Sequence, residues 1–201
     1  MPNVKIYGAG SVGNHMANAA RKLDWNVAIC DTDPDALYRT KNKIYPSRYG
    51  QWDEEIELFL VDEFPLDKKY DFVVVGTPPD SHIDIALYEL NRPYPPREIL
   101  IEKPLGTPCL KGLKELYDLT KKKDVRVYVG YDHAVSESAN KVKDIVYSNR
   151  RIYEDVPVTI DVEFREHWKG ILSAHPWLDG PSDTYLDDLK RGGGALGEHS
   201  H

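Results

Sequence analysis

Between residues 4 and 130 the chain repeats one pattern: a short β-branched or apolar run, a turn, then apolar residues at helical spacing. Such alternation builds parallel βαβ units, because parallel strands need a crossover of about a dozen residues between them. Strands are expected over 4–7, 25–30, 56–61, 71–75, 98–101 and 125–129. The run 71–75 reads as the most buried, stopped by Gly76-Thr77-Pro78-Pro79. Glu57 is out of keeping with a buried strand over 56–61. The first helix should face the core with Val12, Met16, Ala19 and Leu23. Asp33 is placed to cap a second, with Pro34 at the first helical position, where a missing N–H costs nothing. Ile83, Ala86, Leu87 and Leu90 mark another, as do Leu113, Leu116 and Tyr117 before the cations Lys121-Lys122-Lys123. Residues 40–55 are polar and aromatic and carry no assignable element.

After residue 130 the pattern changes. A charged helix is expected near 137–148, with Ala139, Val142, Ile145 and Val146 inward. Residues 156–164 then alternate as an antiparallel strand would, and 170–194 read as loop. One strand cannot form a stable sheet, so the chain is expected to stop inside a second domain.

Composition removes several function classes. At roughly 100–200 residues per domain, 201 residues hold one domain, or one and part of another. A formal charge of −7 repels phosphate backbones, so no nucleic-acid partner is expected. No uncharged apolar run approaches the ~18 residues of a membrane span, and the N-terminus lacks a secretory apolar region. The two cysteines, Cys30 and Cys109, make no disulfide framework and suit a reducing cytoplasm.

The sharpest chemical signal is Gly8-x-Gly10-Ser11-Val12-Gly13, which follows a strand and opens a helix. There Gly8 allows a tight turn, Gly10 the approach of a pyrophosphate, and Gly13 close packing of helix on strand. Ser11 and Val12 open the helix, whose N–H groups and partial positive charge favour phosphate. Asp31 ends the second strand 18 residues after Gly13, near the separation of a carboxylate that holds the adenosine ribose. It would accept from both ribose hydroxyls of NAD and repel the 2′-phosphate of NADP, and neither Thr32 nor Asp33 brings a compensating cation. NAD is therefore the expected cofactor. A glycine turn in an unrelated α/β fold is the competing reading.

Four motifs together widen the comparison: Gly8 to Gly13, the run 73–82, Glu102-Lys103-Pro104-Leu105-Gly106, and Val129-Gly130-Tyr131-Asp132-His133. In type and order they resemble the Gfo/Idh/MocA oxidoreductases over nearly the whole chain. The resemblance implies an α/β fold: a doubly wound parallel Rossmann sheet over 1–131, then an incomplete second α+β domain over 132–201. It also implies hydride transfer between NAD and a carbinol or ketone of a sugar, nucleotide sugar or polyol. Carried over by position, Thr77, Pro78 and His82 border the cofactor, and Glu102 and Lys103 lie beside the nicotinamide ribose and the reacting carbon. An ammonium there would stabilise developing alkoxide more than the resting alcohol. By spacing alone, Glu102-Lys103-Pro104 reads equally as a surface ion pair before a turn. His82 reads equally as a structural histidine.

The final stretch, 192–201, is similar to the family's glycine-rich segment with its catalytic histidine, on which His201 falls. Imidazole can take and return the hydroxyl proton near neutral pH. His199 is the second candidate base. The family often has Asp four residues before the histidine; this chain has Gly197, and Glu198 substitutes only if the loop shifts by one residue. The missing acid favours an alternative, a non-catalytic NAD-binding sensor or degenerate paralogue. His199 and His201, with Glu198 beside them, could also be read as a metal site, but two such ligands fall short of the three or four that zinc takes, though His167 and His175 lie upstream, and no metal is expected. His133, Arg165, His167, Trp168 and Trp177 are substrate-side candidates, with core packing of the second domain as their competing role. Arg150-Arg151 and Lys121–123 read as solvated charge. The chain is expected to be a fragment that binds cofactor and turns over poorly, its full-length form able to pair as a homo-oligomer.

Overall fold

The computed structural model describes residues 1–152, 159, 161, 163, 165, 167–173 and 175–194. The strands are β1 (Asn3–Tyr7), β2 (Asn26–Asp31), β3 (Ile56–Leu60), β4 (Phe72–Val75), β5 (Glu98–Glu102) and β6 (Arg126–Gly130). They form a six-stranded sheet in the order β3-β2-β1-β4-β5-β6, with every pairing parallel. This is the doubly wound order whose direction reverses between β1 and β4. In sheets of this order the ligand crevice lies there, at the carboxyl ends of the strands.

The helices are α1 (Ser11–Arg21), α2 (Pro34–Arg39), α3 (Tyr45–Tyr49), α4 (His82–Asn91), α5 (Leu113–Lys123), α6 (Glu137–Ile152) and α7 (Trp168–Ser173). Alternation along β1 separates the two faces: Val4 and Ile6 pack with Ala17, Ala20 and Ala36, whereas Tyr7 packs with Ile83, Ala86, Leu90 and Leu116. Helices therefore cover the sheet on both sides, as near-continuous apolar strands require. Asp33 caps α2, its side chain accepting from the Asp35 N–H, and Pro34 opens the helix. None of the helices among the described residues is long and apolar enough to cross a membrane.

Several expectations give way to packing. In α1 the buried face is Gly13, Asn14, Ala17 and Ala20; Ala19 is exposed, and Leu23 lies beyond the helix end and is exposed. Small residues let α1 lie close against β1 and β2, which a stripe of larger side chains would prevent. Tyr117 on α5 is likewise exposed, leaving Leu116 as the buried anchor. On α6, Ala139 and Val146 are half-buried, but Val142 and Ile145 face solvent. Glu57 causes no conflict, because β3 is an edge strand and its exposed carboxylate pairs with Lys68. The stretch 170–194 is not plain loop: α7 reaches Ser173, and 3₁₀ turns follow at Pro181–Asp183, Tyr185–Asp187 and Leu189–Arg191. The alternating strand expected over 156–164 falls mostly outside the described residues; Thr159, Asp161 and Glu163 are exposed and in no regular element.

A cluster of polar side chains lies inside this core. Lys5 on β1 is 2 % exposed and donates to Glu89 Oε1 on α4 at 2.9 Å, while Tyr7 OH donates to the same oxygen at 2.5 Å. Arg92 Nη1 reaches Glu89 Oε2 at 3.2 Å, and its Nη2 donates to the carbonyls of Pro65, Leu66 and Lys68. The Lys5 ammonium also sits 3.7 Å from the centre of the Phe64 ring. Burial holds the Lys5 pKa below the ordinary lysine range against the pull of the Glu89 carboxylate. The cluster ties β1, α4 and the loop before β4 into one unit.

Candidate functional site

The turn between β1 and α1 is shaped by contacts that only glycine allows. Gly8 has φ +99°, and a Cβ there would stand 2.7 Å from the Gly76 carbonyl oxygen after β4. A Cβ on Gly13 would lie 1.9 Å from the Gly8 carbonyl oxygen. Val12 packs toward Gly76, locking the loop against the neighbouring strand end. At Gly10 the space is open, with no atom within 4 Å of a Cβ position. No side chain caps α1 and no acid stands in its first turn, so its first N–H groups face an anion's approach with a partial positive charge.

Asp31 lies beside this loop. Its Oδ2 accepts from the Ala9 N–H at 2.8 Å and its Oδ1 from the Asp33 N–H at 3.0 Å. A carboxylate has lone pairs for about four donors, so both oxygens retain capacity for ribose hydroxyls. The nearby cation Arg39 is held by Asp33 at 3.1 Å.

Beyond the crossover, the ends of β4 and β5 are pinned together by His82. Its ring is 0 % exposed, with Nε2 2.6 Å from the Thr77 carbonyl oxygen and Nδ1 2.9 Å from the Pro104 carbonyl oxygen. Burial lowers its pKa, while the two carbonyls oppose that shift. His82 thus braces the loops that carry Thr77, Pro78 and Lys103, and its ring nitrogens point at backbone rather than into the crevice. The Thr77 hydroxyl bonds Ser81 at 2.7 Å, and Pro78 is exposed on the rim. Glu102 and Lys103 are half-buried at the end of β5, with the Glu102 carboxylate against Gly130 of β6. Arg191 pairs with Asp80 at 2.8 Å, and Gly192 packs against Pro79 and Gly106. The glycine-rich run therefore begins on the same loops.

Sequence reasoning missed the groups that support the glycine loop from residues 40–49. A π-helical turn at Thr40–Ile44 joins α2 to α3, with the Tyr45 N–H reaching back to the Thr40 carbonyl. Fully buried Thr40 donates to the Ala9 carbonyl at 2.5 Å and accepts from Asn14 Nδ2 at 3.1 Å. Arg48 Nη1 donates to Ser11 Oγ at 2.8 Å, and Tyr49 contacts His15. Pro46 supplies no N–H to continue a helical ladder, the one local sign that a regular helix is interrupted here.

The other candidates lie apart or out of view. His133 follows β6 and is largely exposed beside Asp132. Arg165 is exposed and paired with Glu163, and Trp168 opens α7. His199 and His201, like Gly197 and Glu198, lie outside the described residues.

Residues 3–131 match the family model described as "Oxidoreductase family, NAD-binding Rossmann fold", Gfo/Idh/MocA. The chain belongs to the Gfo/Idh/MocA oxidoreductase family. No curated protein matches it by sequence. Among solved structures it is similar to myo-inositol 2-dehydrogenase from Lactobacillus plantarum, with TM-score 0.58 and 21% identity over 75% of this chain and 42% of that one. An oxidoreductase from Agrobacterium radiobacter, in complex with NAD+, L-tartaric acid and magnesium, gives TM-score 0.58 and 19% identity over 74% and 40%. The WlbA dehydrogenase from Bordetella pertussis, in complex with NADH and UDP-GlcNAcA, gives 0.57 and 20% over 74% and 42%. At these identities the likeness is one of fold. The chain spans 40–42% of the length of these three Gfo/Idh/MocA-like structures.

The cofactor of this family domain is NAD, and the residues present fit it. The open face at Gly10 admits a pyrophosphate, the uncapped start of α1 meets its charge, and Asp31 stands ready for a ribose.

Proposed function

We propose that the chain is the cofactor-binding part of a dehydrogenase acting on a carbinol or ketone of a sugar, nucleotide sugar or polyol. The observation that carries this is positional. Asp31, the glycine loop, Thr77 and Lys103 leave the carboxyl ends of β2, β1, β4 and β5, neighbours in the sheet, at its reversal point. When bound, NAD supplies the hydride acceptor. Ser11 and Val12 hold the phosphates through backbone N–H groups, and Asp31 fixes the adenosine ribose. Glu102 flanks the nicotinamide ribose. Lys103 directs its ammonium at the substrate oxygen, stabilising alkoxide as the hydroxyl proton leaves. His201, ranked ahead of His199, takes that proton. His133, Arg165 and Trp168 belong to the substrate side, within a second domain beginning near residue 132. The setting is the cytoplasm, and the full-length form is able to pair as a homo-oligomer.

A second reading rests on Gly197, which stands where the family often has an acid: an NAD-binding sensor without catalysis. NAD-coupled absorbance of the full-length protein with a panel of polyols, sugars and nucleotide sugars separates the two. The enzyme reading expects turnover that falls about 10²–10³-fold in Lys103→Met, the scale of losing one oxyanion donor. Turnover unchanged in that variant contradicts Lys103's role. NAD binding with no turnover across the panel favours the sensor.

A further inference from the structure

We propose that Arg48 is the cation with which this chain grips the dinucleotide's pyrophosphate, delivered by the bulged helix that follows β2. The inference rests on the NAD-binding reading of the glycine loop and adds a residue to it. Arg48 Nη1 donates to Ser11 Oγ at 2.8 Å and to the Ser11 carbonyl at 3.3 Å, so its guanidinium stands at the first residue of α1. An anion received by the N–H groups of that turn lies beside this guanidinium charge.

The surroundings favour negative charge. A cavity of about 820 Å³ opens beside Ser11, bordered by His15, Lys43, Arg48, Tyr49 and Trp177, and among the described residues no carboxylate lines it. In a chain of net charge −7 that is a local reversal of sign. Burial and the Arg48 charge both depress the His15 pKa, which leaves the positive charge here to the lysine and arginine side chains.

The helix is built to deliver this group. Thr40 is anchored on the Ala9 carbonyl, and Arg48 follows eight residues later on Ser11. In a regular α-helix eight residues overshoot two turns by about 80°, turning Arg48 away from the loop that Thr40 touches. The π turn at Thr40–Ile44 takes up the excess and returns both side chains to one face.

The test is calorimetric titration of the whole chain with NAD, ADP and adenosine. Arg48→Gln is expected to weaken NAD and ADP alike, about ten- to a hundredfold, the scale of a charged hydrogen bond. Adenosine, which lacks the pyrophosphate, should bind as to the unmutated chain, and the salt dependence of NAD binding should flatten. Arg48→Lys, which keeps the charge, should fall between the two. Unchanged NAD affinity in Arg48→Gln overturns the proposal. So does an equal loss for adenosine, which signals a distorted site, or an Arg48→Lys no better than Arg48→Gln. Failure of the unmutated chain to bind NAD overturns the cofactor reading itself, and is read before any variant is made.

Discussion

Gly13→Ala is expected to abolish measurable NAD binding, a loss beyond about a hundredfold, and to destabilise the chain by about 1–3 kcal/mol or more. The added methyl would stand 1.9 Å from the Gly8 carbonyl oxygen and 3.1 Å from its carbon. Gly8 cannot retreat, because its own face is already closed by the Gly76 carbonyl and its φ of +99° suits no bulkier arrangement. The strain is relieved only by lifting α1 from β1, which withdraws the N–H groups of Ser11 and Val12 from the phosphate position. Gly10→Ala is the control: its methyl meets nothing within 4 Å, so stability should hold within about 0.5 kcal/mol. NAD should still bind less well there, because the methyl occupies the open face. Urea unfolding beside NAD titration reads both effects. A Gly13→Ala chain with native affinity would contradict the loop geometry.

Glu89→Ala should cost about 3–5 kcal/mol, the range for removing one partner from a buried charge pair. Glu89 is fully buried and is shared by Lys5, Tyr7 and Arg92. Without it, Lys5 remains 2 % exposed on a central strand with no carboxylate, and Arg92 loses its hold on α4. The exposed pair Lys114–Asp118, also well formed at 2.6 Å, gives the scale for comparison. Asp118→Ala should change stability by less than about 1 kcal/mol, since water already solvates both groups. Equal losses in the two variants would mean that the buried cluster is not the brace described.

The alternating fold was legible because its signal is local. Buried β-branched runs mark strands wherever they occur, and Asp33-Pro34 announces a helix start without help from any distant residue. Which face of a helix is buried was less legible. In α1 the sheet selects Gly13, Ala17 and Ala20 for their small size, whereas apolar spacing alone points to Ala19 and Leu23. Contacts spanning many residues left no pattern at all. Thr40 on Ala9, Arg48 on Ser11 and Glu89 on Lys5 join segments 31, 37 and 84 residues apart. Of the site, the glycine loop and Asp31 could be read from the turn and its spacing. The resemblance sets His82 at the cofactor's border while its position at a helix start allows a structural role equally, and its two ring nitrogens face carbonyls.

Titration of the 201-residue chain with NAD and NADP, beside Asp31→Ala, tests the cofactor account most directly. Saturable NAD binding is predicted, with NADP weaker because its 2′-phosphate would meet the Asp31 carboxylate. Asp31→Ala should lose about tenfold or more for NAD, as expected for hydrogen bonds to a charged group, and should narrow the gap to NADP. A chain that melts cooperatively yet binds neither nucleotide, or binds both equally, would contradict it.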